Sequence, residues 1–231
     1  AAAEGIPALY SNSRVSQHAR KHGGREIRTR SGALIDGELK IDLPPDTLMQ
    51  LQRESLDAQD WTALLFTHGD DDHFAANELQ YCLHPFSQME YLGFTIYGND
   101  RICAKINKLY PGWPIDLVQI NAFETFRHGA YTITPIEARH NMKEQCQNHI
   151  VEHGGKRLLY ATDTGIWSDQ TLGFLKDFRV DVLGRWKSPK SGGDYPMKWQ
   201  ITVPGEQIEL EIAPEFREQE LITNRSTRVT Y

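Results

Sequence analysis

Two histidines and three aspartates lie close together in the sequence, between His68 and His73. They belong to the run Thr67-His68-Gly69-Asp70-Asp71-Asp72-His73, which directly follows the apolar residues 63–66. Imidazole nitrogen suits zinc, iron and manganese, and carboxylate oxygen suits manganese and magnesium as well. Because packing alone does not account for so many ligand atoms at this place, the run predicts a metal site. A solvated acidic turn stays open as the alternative, since charge runs usually face water.

The apolar residues 63–66 predict a buried strand that ends where this histidine-rich loop begins. On such a loop His68 and Asp70 can point one way, and Asp72 and His73 the other. The spacing therefore indicates that two neighbouring ion sites can be built from one turn.

Two later segments carry further candidate ligands at the ends of predicted strands. Residues 133–140 read as a strand that ends in His140, and residues 156–165 read as a strand with Asp163 at its tip before Gly165. A histidine-rich loop, a strand-tip histidine and a strand-tip aspartate together form a recurring arrangement in dinuclear hydrolases.

With these residues the chain resembles the metallo-β-lactamase superfamily, whose first motif is T-H-x-H-x-D-H. The branch it resembles is the cyclic phosphodiesterase-like group, which shares the opening 3–9, the stretch 19–36 and the strand tip 160–165. The resemblance covers about residues 4–183. It implies an α/β fold of the αββα sandwich type, incomplete at both ends of the chain and followed by a short C-terminal β appendage.

The resemblance also implies a ligand set for zinc or manganese, with one or two ions bound. His68 and His140 would hold the first ion, Asp72 and His73 the second, and Asp163 would bridge them. A hydroxide held between the ions would be the nucleophile, because bound cations lower the pKa of water toward neutrality. Asp72 is the implied catalytic residue, since it could also orient that water.

The sequence departs from the family pattern at two ligand positions. Asp70 stands where the motif has a histidine, and we retain it as a candidate ligand. The family's last histidine lies well beyond the strand-tip aspartate, but no histidine follows His153.

The function implied is that of a metal-dependent hydrolase acting on a small phosphate-containing substrate, a cyclic or activated phosphodiester. The two departures keep a second hypothesis open, in which the protein is a catalytically impaired scaffold or binding protein of the same fold. A chimeric or truncated product is a third. The sequence leaves the oligomeric state open.

Residues 184–231 resemble part of a different family, the lipocalin-like barrel of AttH proteins and carotenoid hydratases. The shared features are the pattern W-x-S-P-x-S-G-x-x-Y-P at 186–196 and the later residues 219–221. We therefore expect two regions, a metallo-β-lactamase-like domain at 1–183 and a β-rich segment at 184–231.

Composition narrows the class of protein further. The 231 residues carry a formal net charge of −6, which argues against general nucleic-acid binding. No apolar run is long enough to span a bilayer, so we expect no membrane association. A basic, apolar leader is absent and the three cysteines lie far apart, which together predict a cytoplasmic protein with reduced thiols. Helices are expected at 46–59, 74–83 and 100–109.

Overall fold

The computed structural model describes residues 3–88, 93–176, 178, 180–185, 198–203 and 206–211. These residues fall into two compact units. The first unit comprises the described residues from 3 to 121 together with 143–146, and the second comprises 122–142 and the described residues from 147 to 211. Both units contain a β-sheet and at least one helix, which confirms the α/β class.

The first unit is built on a five-stranded sheet with the strand order β1-β2-β3-β4-β5. Its strands are β1 (Ala33–Ile35), β2 (Leu39–Ile41), β3 (Ala63–Leu65), β4 (Thr95–Gly98) and β5 (Leu117–Gln119). The helices of this unit are α1 (Arg14–His22), α2 (Thr47–Glu54) and α3 (Asp100–Leu109), with short 3-10 helices at Gly24–Glu26, Ala58–Asp60 and Ala76–Cys82. Strands β1 and β2 are antiparallel, and the other neighbours are parallel.

Strand β3 lies in the middle of this sheet and is completely buried. Its residues and Phe66, which follows them, are inaccessible to solvent. A short, continuous apolar run is what a strand covered on both faces of a parallel sheet requires. Leu64 and Phe66 pack into one cluster with Ile96 and Ile102, which anchors the end of β3 where the histidine-rich loop begins.

Two of the three predicted helices of this unit are α-helical. Helix α3 has the predicted bounds because the Asn99 side chain caps it, accepting a hydrogen bond from the Ile102 backbone N–H at 3.0 Å. Helix α2 is shorter than predicted and ends at Glu54, since the next residue, Ser55, is left-handed with φ 55°. The predicted helix at 74–83 is instead a 3-10 helix at Ala76–Cys82, with no side-chain cap at its start.

The second unit contains another five-stranded sheet, with the order β10-β9-β8-β7-β6. Its strands are β6 (Phe126–His128), β7 (Tyr131–Glu137), β8 (Gln147–His153), β9 (Lys156–Ala161) and β10 (Val182–Arg185), and helix α4 (Asp169–Lys176) precedes β10. All neighbours are antiparallel except β9 and β10, which run parallel. Ile136, Ile150 and Leu159 form its buried apolar cluster, against which Phe123 and Phe174 pack.

A separate antiparallel pair of strands follows, β11 (Lys198–Val203) and β12 (Glu206–Glu211). This pair is the C-terminal β appendage that the sequence predicts. The pattern at 186–196 and residues 219–221 lie outside the described residues, so the lipocalin-like resemblance stays a prediction. The boundary at 183–184 also stays a prediction, although β10 continues in the sheet as far as Arg185. Within the described part of the chain, no helix has both the length and the apolar character needed to cross a bilayer.

Candidate metal centre

The loop 67–73 connects the end of β3 to the segment before the 3-10 helix Ala76–Cys82. Phe66 and Phe74 flank the loop and pack edge to face, with ring centroids 4.5 Å apart and an interplanar angle of 60°. Within it, the backbone N–H groups of His73 and Phe74 both donate to the carbonyl oxygen of Asp70, at 2.9 and 2.8 Å. An aromatic contact at the base and a tight turn at the tip therefore define the loop's conformation.

The chain that leaves β2 places a further carboxylate, Asp42, against this loop. The Asp42 backbone N–H donates to the carbonyl oxygen of Leu65, and that of Leu43 donates to the carbonyl oxygen of His73, both at 2.8 Å. Asp42 has a left-handed backbone with φ 58°. Such a conformation persists in a non-glycine residue only where the surrounding structure imposes it, and it is common at functional sites.

The Asp42 carboxylate is buried and accepts hydrogen bonds from two residues of the loop. His73 Nδ1 lies 2.7 Å from Oδ2, the Thr67 backbone N–H donates to Oδ1 at 2.8 Å, and the Thr67 hydroxyl donates to the same carboxylate. His68 Nδ1 lies 2.9 Å from the Thr67 hydroxyl oxygen. Because the single hydroxyl proton goes to Asp42, that oxygen accepts from His68. Both histidines therefore donate from Nδ1, which leaves Nε2 as the nitrogen that can bind a metal ion.

The electrostatics of Asp42 agree with this arrangement. Burial alone would raise the pKa of its carboxyl group, but His73, His68 and the Thr67 backbone N–H lower it by more, so the pKa lies below the ordinary value. Asp42 therefore stays ionised and can orient both imidazoles.

Asp70 and Asp72 each lie beside one of the two histidines. The distance from His68 Nε2 to Asp70 Oδ2 is 3.5 Å, and the distance from His73 Nε2 to Asp72 Oδ2 is also 3.5 Å. The two imidazole rings are 4.3 Å apart. Asp71 differs, since its side chain is 94% exposed and contacts Lys105. The loop thus presents two adjacent histidine–aspartate pairs, and only Asp71 matches the alternative of a solvated acidic turn.

His140 and Asp163 belong to the second unit and lie in loops just beyond the strands that were expected to carry them. Strand β7 ends at Glu137, so His140 is on an exposed loop, whereas Asp163 follows β9 and is half-buried with a left-handed φ of 45°. Two hydrogen bonds join these loops, one from the Gly165 N–H to the Arg139 carbonyl at 2.8 Å and one from the Arg139 N–H to the Thr164 hydroxyl at 3.1 Å. The two candidate ligands therefore lie on neighbouring, connected loops.

The donor set fits a divalent metal ion. Within the first unit the candidate ligands are His68, Asp70 and His73, and within the second unit they are His140 and Asp163. Asp72 lies beside His73, and its role as a ligand stays a prediction. Imidazole nitrogens combined with carboxylate oxygens suit zinc and manganese.

Two carboxylates that contact the loop, Asp42 and Glu144, are not among the residues predicted from the sequence. Asp42 could have been found, because Lys40 and Asp42 interrupt an otherwise apolar stretch at 39–43, and a charged residue buried in a strand needs a partner. Glu144 accepts a hydrogen bond from the Gly69 backbone N–H at 3.0 Å. Nothing in the local sequence pattern marks that contact, which connects residues far apart in the chain.

Solved structures and a family model place the chain among known proteins. Zinc-bound PqqB from Methylobacterium extorquens is 21% identical, with a TM-score of 0.63, and a diphosphatase from the PhnP family is 18% identical, with a TM-score of 0.61. Each alignment covers 78% of this chain and 68% of the other. The metallo-β-lactamase fold protein YhfI from Bacillus subtilis is 20% identical with a TM-score of 0.53, and the alignment covers 68% of this chain and 63% of YhfI.

These structural similarities establish the fold, which is that of the metallo-β-lactamases. No curated protein sequence matches the chain significantly. The family model described as the beta-lactamase superfamily domain matches residues 39–203, which is more than half of the chain and includes every candidate ligand. The chain therefore belongs to the beta-lactamase superfamily.

Proposed function

We propose that the protein is a divalent-metal-dependent hydrolase that cleaves a phosphodiester in a small cyclic or activated substrate. The observation that carries this proposal is the pair of buried imidazoles, His68 and His73. The Nδ1 atom of His73 is held by the Asp42 carboxylate, and that of His68 by the Thr67 hydroxyl, which itself donates to Asp42. Membership of the superfamily supports it. So does the fold shared with a protein described as a diphosphatase, since a diphosphatase also acts on a phosphate-containing substrate.

The proposed ligands are divided between two ions. His68 and His140, with Asp70 nearby, would hold the first ion; Asp72 and His73 would hold the second; and Asp163 would be shared. This set contains as many carboxylates as imidazoles, so manganese is expected to serve at least as well as zinc. When bound, such ions lower the pKa of a coordinated water and stabilise negative charge on a phosphoryl group.

The chain's own residues prepare this chemistry. Asp42 and Thr67 hold the two imidazoles in position before an ion arrives. Asp72, whose Oδ2 lies 3.5 Å from His73 Nε2, would accept a hydrogen bond from the attacking water. Without a cation, the carboxylates of Asp70 and Asp72 would repel an anionic phosphodiester, so substrate binding should depend on the metal.

The test is metal content together with hydrolysis of bis(p-nitrophenyl) phosphate. Protein purified without chelator should contain about one to two divalent ions per chain, and zinc or manganese should raise its melting temperature. His73→Ala should lose the second ion and the hydrolysis, whereas His18→Ala, a change at an exposed histidine of α1, should lose neither. A metal-free parent whose melting temperature does not respond to zinc or manganese would refute the proposal.

Asp70 favours a second candidate, a catalytically impaired scaffold that still binds metal. Its carboxylate faces His68 at 3.5 Å, at the position where the family motif has a histidine. A parent protein that binds ions but hydrolyses no phosphodiester, cyclic or linear, would support this candidate over the hydrolase.

A further inference from the structure

Glu144 contacts the metal-binding loop from a segment that the proposed ligand set does not use. It lies in the segment 143–146, which begins three residues after His140 and belongs to the first unit. Its Oε2 accepts hydrogen bonds from the Gly69 backbone N–H at 3.0 Å and from Asn99 Nδ2 at 2.9 Å. Resting on the proposed metal site, we propose that Glu144 is a positioning residue that fixes the backbone between His68 and Asp70 and so raises metal affinity.

Asn99 provides the rigid support for Glu144. It is 1% exposed and its Oδ1 accepts from the Ile102 N–H at the start of α3. Its Nδ2 donates both to Glu144 and to the Gln145 carbonyl oxygen, the latter at 3.0 Å. The guanidinium of Arg101 adds a third link by donating to the Lys143 carbonyl oxygen at 2.7 Å. The first residues of α3 thus hold the segment 143–146 at several points.

Gly69 shows that the approach of Glu144 to the loop is close. A Cβ atom at this position would lie 3.2 Å from Glu144 Oε2 and 3.3 Å from Oε1, which is tighter than an ordinary contact. The glycine therefore lets the carboxylate reach the backbone N–H of the loop. A side chain at this position would push Glu144 and the loop apart.

Substitutions at Glu144 can distinguish the effect of its hydrogen bonds from the effect of its charge. A single oxygen, Oε2, accepts from both Gly69 and Asn99. A glutamine can place its amide oxygen at the same point, so Glu144→Gln should keep both bonds, whereas Glu144→Ala loses both. Asn99→Asp keeps the acceptor that caps α3 but replaces the donor to Glu144 with a second carboxylate, so it should break the contact and leave the helix capped.

The experiment measures zinc affinity by chelator competition and, in the metal-free protein, hydrogen exchange at the Gly69 amide. Glu144→Ala should weaken zinc binding about 10- to 100-fold, the usual effect of losing a residue that orients a ligand. Asn99→Asp should act similarly, and Glu144→Gln should stay close to the parent. Gly69→Ala should also weaken binding, while the control Gly173→Ala on α4, where a Cβ meets nothing within 4 Å, should not.

Each outcome bears on the inference separately from the proposed function. If Glu144→Gln binds zinc as weakly as Glu144→Ala, charge and not positioning is responsible, and the inference is wrong. It is equally wrong if Glu144→Ala changes neither zinc affinity nor exchange at Gly69. A parent that binds no metal would refute the proposed function and the effect on affinity, yet faster exchange at Gly69 in Glu144→Ala and Asn99→Asp would still show that Glu144 fixes the loop.

Discussion

The candidate ligands come from two regions that are built differently. The loop 67–73 of the first unit carries His68 and His73, which are 2% and 0% exposed. The buried carboxylate of Asp42 orients His73 directly and His68 through the Thr67 hydroxyl. In the second unit His140 is exposed and Asp163 is half-buried, and backbone hydrogen bonds hold their loops. The first region is therefore preorganised for a metal ion, whereas the second presents its candidate ligands at more exposed positions.

The largest expected effect tests whether the two regions contribute differently to the stability of the protein. Asp42→Asn removes the charged partner of His73 in a fully buried pair, so the free energy of unfolding should fall by about 3–5 kcal/mol. Asp163→Asn, in the other region, should change it by less than about 1 kcal/mol, because asparagine tolerates the left-handed backbone. Urea unfolding of both metal-free variants makes the measurement. Equal losses would contradict the distinction between the regions.

The second prediction concerns Lys40, a buried residue of β2 in the first unit. Burial lowers the pKa of Lys40 from 10.5 to about 8, and the nearby Asp42 only partly opposes this. Between about pH 8 and 10.5 the unfolded chain therefore binds a proton that the folded protein does not, so stability rises with pH. Relative to Lys40→Met, the parent should gain about 3 kcal/mol across this window.

Denaturant unfolding of the parent and Lys40→Met at several pH values provides this comparison. The other titratable groups contribute equally to both proteins, so they cancel when the two free energies of unfolding are subtracted. A difference in stability that stays constant between these pH values would show that Lys40 keeps its ordinary pKa.

The third prediction compares ligands across the two regions. His73→Ala should weaken zinc binding at least about 10-fold more than His140→Ala, because a preorganised ligand contributes more affinity than one that must be ordered on binding. Zinc titration of the two variants against a chelator decides the point. A stronger loss of zinc affinity in His140→Ala would show that the second region contributes more to zinc binding than the first.

The sequence predicted the ligand-bearing positions better than the contacts that support them. Helix α3 could be predicted because its cap and apolar spacing are local, as could the end of β3, where an apolar run meets a polar loop. The pairing of Asp42 with Thr67 and His73 could not, because it depends on the parallel register of β2 and β3, and no local pattern encodes that register. The ends of β7 and β9 were misplaced by two or three residues, since His140 and Asp163 project from loops.

The smallest expected effect concerns Asp70, the one ligand position in the preorganised region that departs from the family motif. Asp70→His should raise zinc affinity by no more than about 10-fold, because it supplies a nitrogen donor beside His68 and removes one negative charge next to Asp72. Asp71→His makes the same change at a side chain that is 94% exposed and should have no effect. Zinc dissociation constants and kcat/KM for a phosphodiester provide the comparison. Identical behaviour of the two variants would show that position 70 does not contribute to the site.

The packing of Phe66 against Phe74 has a consequence for how the protein would exchange the proposed ion. This contact lies in the apolar core, so the loop 67–73 is closed when the protein folds. The entropy cost of closing it is therefore part of folding and not of ion binding. In a zinc finger, by contrast, ion binding and folding are one event, and chelators denature the domain. Here chelation should remove the ion and leave the loop closed, so the metal can leave and return without an unfolding step.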